Sequence, residues 1–388
     1  MASWCVPHGR SASVSETEYS ATYLRALPVN ASSRRSRYSV LHIPVKVSAR
    51  ERISHCLPAV LLATCLLLAG CGRGRSKVLE VDYVTAPQVN LRDRLAAVYN
   101  KTGVVKNGDR VEVLERQRRF LRVRAANGAE GWIEQRYVVG QDVYDGFQKL
   151  TQDNLNMPVQ ANGATRNETN LHIEPGRDTE HLYQLAAGEK LAMLKRGTAE
   201  KPGAASPSPK TQKSPDKAEA PQPVLEDWWL ARDSQGRVGW VLGRLVDLDI
   251  PLEIAQYAEG QRLVAFFALN QIQDGDKKVP EYLTVLTEPK DGQPFDFDQV
   301  RVFTWNLRKH RYETAYRERN FEGFLPVTVS HEDFGKEGTL PVFVLRVKDT
   351  SGNMIERKYK LNTPIVRRVL APGEQKDAPV ARRKKKRR

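Results

Sequence analysis

The side chains that most often carry enzyme chemistry are sparse in this 388-residue sequence. All four cysteines (Cys5, Cys56, Cys65 and Cys71) lie in the first 71 positions, so the body of the chain has no thiol nucleophile, thiolate zinc site or disulfide framework. The histidines after Cys71 are His172, His181, His310 and His331, and none falls in an HExxH or HxH pattern. His331-Glu332-Asp333 reads as a polar loop rather than a zinc site, and Asp274/Asp276 and Asp296/Asp298 lack the spacing of an EF-hand. No GxSxG, P-loop or GxGxxG run occurs. The expectation is a protein that binds rather than catalyses, with no catalytic residue, cofactor or metal.

One cysteine has a chemical context. Arg50 and Arg52 precede a 14-residue apolar run from Leu57 to Gly70, LPAVLLATCLLLAG, which stops at Cys71. As a helix it would reach about 21 Å, short of the roughly 30 Å of a bilayer core. A basic flank, a short apolar region and small residues before a cut site make a secretory signal. Leu68-Ala69-Gly70-Cys71 resembles the lipobox of bacterial lipoproteins. The resemblance implies a diacylglycerol on the Cys71 sulfur, cleavage just before it and acylation of the new amine. Several acyl chains at about 0.8 kcal/mol per buried methylene anchor a protein where one would not. The protein is then expected to be exported and lipid-anchored on the periplasmic side of the inner or the outer membrane. Residues 1–70 are expected to be a disordered extension plus signal peptide, with translation starting near the signal, at Val45 or Val47.

Charge supports the same division. Lys and Arg number 61 against 46 acids, giving +15, but residues 1–70 hold +5 and Arg382–Arg388 hold +7, leaving +3 for residues 71–381. A nearly neutral body argues against a nucleic-acid partner. The basic tail, expected to be disordered over 371–388, suits an anionic surface at about 1 kcal/mol per basic residue.

The body repeats itself. NLR at Asn90–Arg92, GDRVEVLE at Gly108–Glu115 and FLRVRAANGAEGWI at Phe120–Ile133 return as NLH at Asn170–His172, GEKLAMLK at Gly188–Lys195 and WWLARDSQGRVGWV at Trp228–Val241. The first two matches are 80 positions apart and the Gly-Trp pairs 108 apart, so the second copy holds 28 extra residues. Those include a Pro-, Ala-, Ser- and Lys-rich stretch, about 199–223, expected to be a disordered insertion. Each copy alternates apolar and polar residues in short runs, with hairpin turns at Asn127-Gly128 and Gln235-Gly236, the pattern of a small antiparallel barrel. The ordered set NLR, a Gly-led VxVL strand, WW or FL-x-V and GW resembles the bacterial SH3-like (SH3b) domain.

The resemblance implies two SH3-like barrels, 81–139 and 160–250, that bind peptidoglycan or envelope peptides in aromatic-lined grooves, or else act as a scaffold for envelope proteins without touching the wall. Groove candidates are Tyr99, Phe120, Trp132 and Tyr137 with Arg92 at the rim in the first copy, and Tyr183, Trp228, Trp229 and Trp240 in the second. The Trp of a Gly-Trp pair in such a barrel is more often core than contact. Trp228 and Trp229 alternate faces in a strand, so one of them should point outward. Between the copies, 140–159 reads as a connector with a short amphipathic helix on Val143, Phe147 and Leu150. Residues 251–370 alternate again and predict an all-β, sandwich-like domain. The fold class expected is therefore all-β throughout.

Overall fold

A computed structural model describes residues 77–205 and 223–370. Cys71, the signal-like run, residues 206–222 and the basic tail lie outside the described residues. The described chain is all-β, built from three antiparallel seven-stranded sheets.

The first sheet holds β1 (Glu80–Val84), β2 (Gln88–Arg92), β3 (Lys101–Lys106), β4 (Arg110–Gln117), β5 (Phe120–Ala125), β6 (Glu130–Glu134) and β7 (Val138–Gly140), in the order β3-β2-β6-β5-β4-β1-β7. The second holds β8 (Ala161–Thr165), β9 (Thr169–His172), β10 (His181–Leu185), β11 (Lys190–Ala205), β12 (Pro223–Asp233), β13 (Val238–Leu242) and β14 (Val246–Leu248), in the order β10-β9-β13-β12-β11-β8-β14. The two orders are the same with every strand number raised by seven. Alternation drives Leu91, Val111, Val113, Leu121, Val123 and Ile133 into the first core. The matching positions Leu171, Leu191, Met193, Trp229, Ala231 and Val241 fill the second.

The Gly of each Gly-Trp pair marks a close approach. A Cβ on Gly131 would lie 2.8 Å from Leu91 Cβ, and one on Gly239 would lie 2.7 Å from Leu171 Cβ. Only glycine lets β6 and β13 pass so close to β2 and β9.

Helix α1 (Gln141–Asp153) connects the two sheets. Tyr144 stacks on Tyr83 of the first barrel with centroids 4.0 Å apart, and Phe147 meets Tyr183 of the second edge-on at 5.3 Å. Asn107 ties the barrels directly, its Nδ2 donating to the carbonyls of Thr85 and Leu182, both at 2.7 Å.

The stretch read as a disordered insertion from residue 199 begins as regular strand instead. The β11–β12 ladder continues through Ala199↔Glu226 and Glu200↔Leu225 to Ala205↔Pro223. Leu225, on this extended hairpin, lies against Gly292 of the C-terminal region. A long paired arm with a packing partner overrides a composition that disfavours strand on its own.

After the short helix α2 (Leu252–Ala255), the third sheet is one meander: β15 (Arg262–Asp274), β16 (Lys277–Thr287), β17 (Phe297–Asn306), β18 (Arg311–Asp333), β19 (Thr339–Lys348), β20 (Met354–Asn362) and β21 (Ile365–Val369). The 23-residue β18 pairs with β17 through its first half and with β19 through its second. Leu283, Val300, Phe343 and Tyr359, from strands on both sides of β18, share one buried cluster, so the meander folds over on itself. The two layers of this sandwich-like domain thus come from a single hydrogen-bonded sheet.

Candidate functional site

Backbone register superposes the two barrels residue on residue. Phe120 and Glu134 pair where Trp228 and Leu242 pair; Arg122 and Trp132 match Leu230 and Trp240; Arg124 and Glu130 match Arg232 and Val238. Arg92 opposes Trp132 as His172 opposes Trp240. These residues form the outer face of β5–β6 and of β12–β13.

On the first barrel this face is open. Phe120, Trp132, Tyr99 and Arg92 are all half-buried. The Arg92 guanidinium sits 4.5 Å from the Tyr99 ring centroid and 5.6 Å from that of Phe120, and its Nη2 donates to Glu134 Oε1 at 3.3 Å. Arg119 approaches Phe120 at 5.4 Å. Tyr99 is delivered by a loop that Asp93 closes. Asp93 accepts from Arg94 Nη2 (2.8 Å) and from Asn100 N (2.8 Å), while its own amide donates to Asn100 O (3.0 Å). Those bonds, Arg94's foremost, hold the Asp93 carboxyl down at about 2. Beyond the aromatics the face carries a charge ladder, Arg122 and Arg124 with Glu130 and Arg124 with Glu112. The structure thus brings Arg92, Tyr99, Phe120 and Trp132 to one surface. Tyr137 is not part of it: it packs against the barrel core under Arg136.

On the second barrel the same face is closed, which corrects the expectation of a groove there. Trp228 is 2% exposed and Trp240 9% exposed, clustered with Leu194, Leu230, Val238 and Leu242. Trp229 and Tyr183 are buried too. Alternation does turn Trp228 to the outer face, but the last turn of α1 and the chain after it lie over it. Leu150 and Met157 pack on the cluster, Thr151 Oγ1 accepts from Val238 N at 3.1 Å, and Arg232 donates to the carbonyls of Asn154 and Leu155. His172 stands where Arg92 stands, edge-on to Trp228 at 5.2 Å and beside His181, ring to ring at 5.4 Å. Burial, then the neighbouring His181, pulls the His172 pKa down to about 4.

No sequence motif marks the network at the seam of the second barrel and the third sheet. Asp227 accepts from Arg196 Nη2 (2.6 Å), Arg262 Nη1 (2.7 Å) and Gly292 N (2.8 Å), and Arg196 also donates to Phe295 O. Glu226 beside it takes a bidentate Arg177 at 2.7 and 2.6 Å. Two acids entering an apolar strand, Glu226-Asp227 before Trp228-Trp229, are the only trace such a network leaves.

The remaining chemistry-bearing groups sit in strands, at strand ends or in turns; His331-Glu332-Asp333, read as a polar loop, is the paired end of β18, because it continues the ladder with Thr339–Pro341 of β19. Asp274 accepts from Trp305 Nε1 and bonds His310 Nδ1, both at 2.7 Å, and Asp296 accepts from Leu325 N at 2.8 Å. Among the described residues no three His, Cys, Asp or Glu side chains are grouped to hold a metal ion, and no helix is long and apolar enough to cross a membrane.

Comparison with known proteins places a bacterial SH3 domain at residues 87–139, the stretch carrying the open face. No curated protein matches the chain. Among solved structures it is similar to NlpC2 from Trichomonas vaginalis (TM-score 0.16, 8% identity, 64% of this chain and 99% of that one). NlpC1 from the same organism is comparable (0.15, 8%, 63% and 89%). So is an NlpC/P60 family protein from Bacillus cereus (0.20, 9%, 71% and 93%). Likenesses at these scores carry no weight for what this chain does.

Proposed function

We propose that this chain is a lipid-anchored envelope protein, tethered through Cys71, whose first SH3-like barrel binds peptidoglycan or an envelope peptide. The second barrel, which we read as an SH3b module on the support of its repeat and strand order, serves as a structural one. The observation that carries this reading is the open outer face of the first barrel, where Arg92 is held between Tyr99 and Phe120 beside Trp132. Aromatic faces take the apolar faces of sugars and peptide stems, and a fixed guanidinium takes a carboxylate. Membership of residues 87–139 in the bacterial SH3 domain supports a binding role.

Sedimentation of the full chain with purified sacculi tests the reading. Binding is expected, and Arg92→Gln or Phe120→Ala should reduce it at least tenfold. If the unaltered protein stays in the supernatant, direct wall binding is wrong and a scaffold for envelope proteins replaces it. Zymography on the same protein is expected to show no clearing. Cys71→Ser should release the protein from membranes; retention would contradict the anchor.

A further inference from the structure

A cleft of about 460 Å³ opens at the seam between the second barrel and the third sheet, away from the open face of the first barrel. That volume falls in the range of small-ligand sites. Its apolar wall includes Trp229, Val246, Ile250 and Leu263. Its polar lining comprises Arg166, Arg196, Arg244 and Arg262 with Asp227, Asp247 and Asp291. The carboxylates are all engaged. Asp227 holds Arg196 and Arg262, Asp291 holds Arg262 at 3.0 Å, and Asp247 holds Arg166 at 2.7 Å. Arg244 has no ion pair or hydrogen bond among the described residues, and its side chain is exposed at the mouth. Arg196 is also 3.6 Å from Asp296, and Glu226, the acid that senses Arg244, is already bonded to Arg177, so Arg244 is the guanidinium of the lining with no carboxylate at ion-pair distance among the described residues. Thr287, also in the wall, is 2% exposed and its hydroxyl has no hydrogen-bond partner. An unpaired polar group at such a depth costs stability unless something answers it.

We infer that this cleft binds a small amphipathic monocarboxylate, its apolar body against Trp229, Ile250 and Leu263 and its carboxylate on Arg244. One guanidinium without a carboxylate partner fits one carboxylate. Asp247 and Asp291 in the lining disfavour a phosphate or a dicarboxylate by like-charge repulsion. Arg196, buried and locked to Asp227, fixes the wall rather than meeting the ligand.

Calorimetric titration of the full chain with N-acetyl-phenylalanine and with its neutral amide tests this. The acid should bind at least tenfold more tightly than the amide. Arg244→Gln should lower affinity for the acid about tenfold and leave the amide unchanged, since a surface substitution does not threaten the fold. Arg92→Gln, on the other barrel, should alter neither. Octanoate in place of the aromatic acid identifies which apolar body the wall prefers. Equal binding of acid and amide, no binding of the acid, an unchanged Arg244→Gln or a loss in Arg92→Gln would each overturn the site. None of these outcomes depends on sacculus binding.

Discussion

Phe120 and Trp228 hold the same position in two sheets of one strand order, yet one is half open to solvent and the other is sealed. The partners around them changed together. Arg92, Arg122, Glu130 and Glu134 of the first barrel are His172, Leu230, Val238 and Leu242 in the second. A strand face that alternates away from its own barrel must either meet water, and carry charge, or meet another element, and carry apolar groups. The first barrel takes the former course and keeps its face open. The second takes the latter, under the end of α1 and the chain after it. A repeated module therefore need not repeat a surface.

The largest effects should separate the barrels by stability. Asp227 precedes Trp228, where the first barrel has the exposed Arg119. Asp227→Ala leaves the buried Arg196 only its longer pair with Asp296 and frees Arg262 and Gly292 N, and should cost about 3 kcal/mol in denaturant unfolding. Trp228→Ala should cost about 3–5 kcal/mol, whereas Phe120→Ala, in the same place on the open face, should cost about 1 kcal/mol. Equal losses for the two aromatic truncations would break the comparison.

A pH series sharpens it further. Unfolded His172 takes up a proton below about 6.5, while the folded ring resists protonation down to about 4. The fold should lose stability as pH falls between those values, and His172→Gln should remove that part of the slope. Asp82 works in the opposite sense. Burial first, and Glu80 next, raise its carboxyl to about 6, so its contribution is lost as pH rises from about 3.8. The difference between the unaltered protein and His172→Gln at pH 7 and pH 5 isolates the histidine; no difference would refute its burial in the neutral form.

The smallest effect belongs to the ladder. Glu130→Gln breaks pairs with Arg122 and Arg124 in reach of water and should change stability by less than about 1 kcal/mol. A larger loss would mean that the open face is held by its charges rather than by the core beneath it.

How much of this was legible beforehand differs by residue. Asn127-Gly128 and Gln235-Gly236 announced hairpin turns, and the structure closes them through Asn127 Oδ1 to Ala129 N and Asp233 Oδ1 to Gln235 N. Leu91, Val111 and Leu121 announced inward positions by period-two alternation, a local property of strands. The candidates on the first barrel gathered at one face except Tyr137. Those on the second were misjudged because alternation states which side a residue faces, not what lies on that side. The Arg196–Asp227–Arg262 network was invisible, since its members come from three strands and pair only once the third sheet docks.

The amino-acid sequence alone determined the all-β class, the two-fold repeat and the division of charge between ends and body. These rest on composition, spacing and periodicity, which act within a few residues of one another. Which of the two matching faces stays open was decided only by tertiary structure. Burial is a property of what packs on a surface, and the residues around Leu150 and Met157 that cover Trp228 are some seventy positions away from it along the chain.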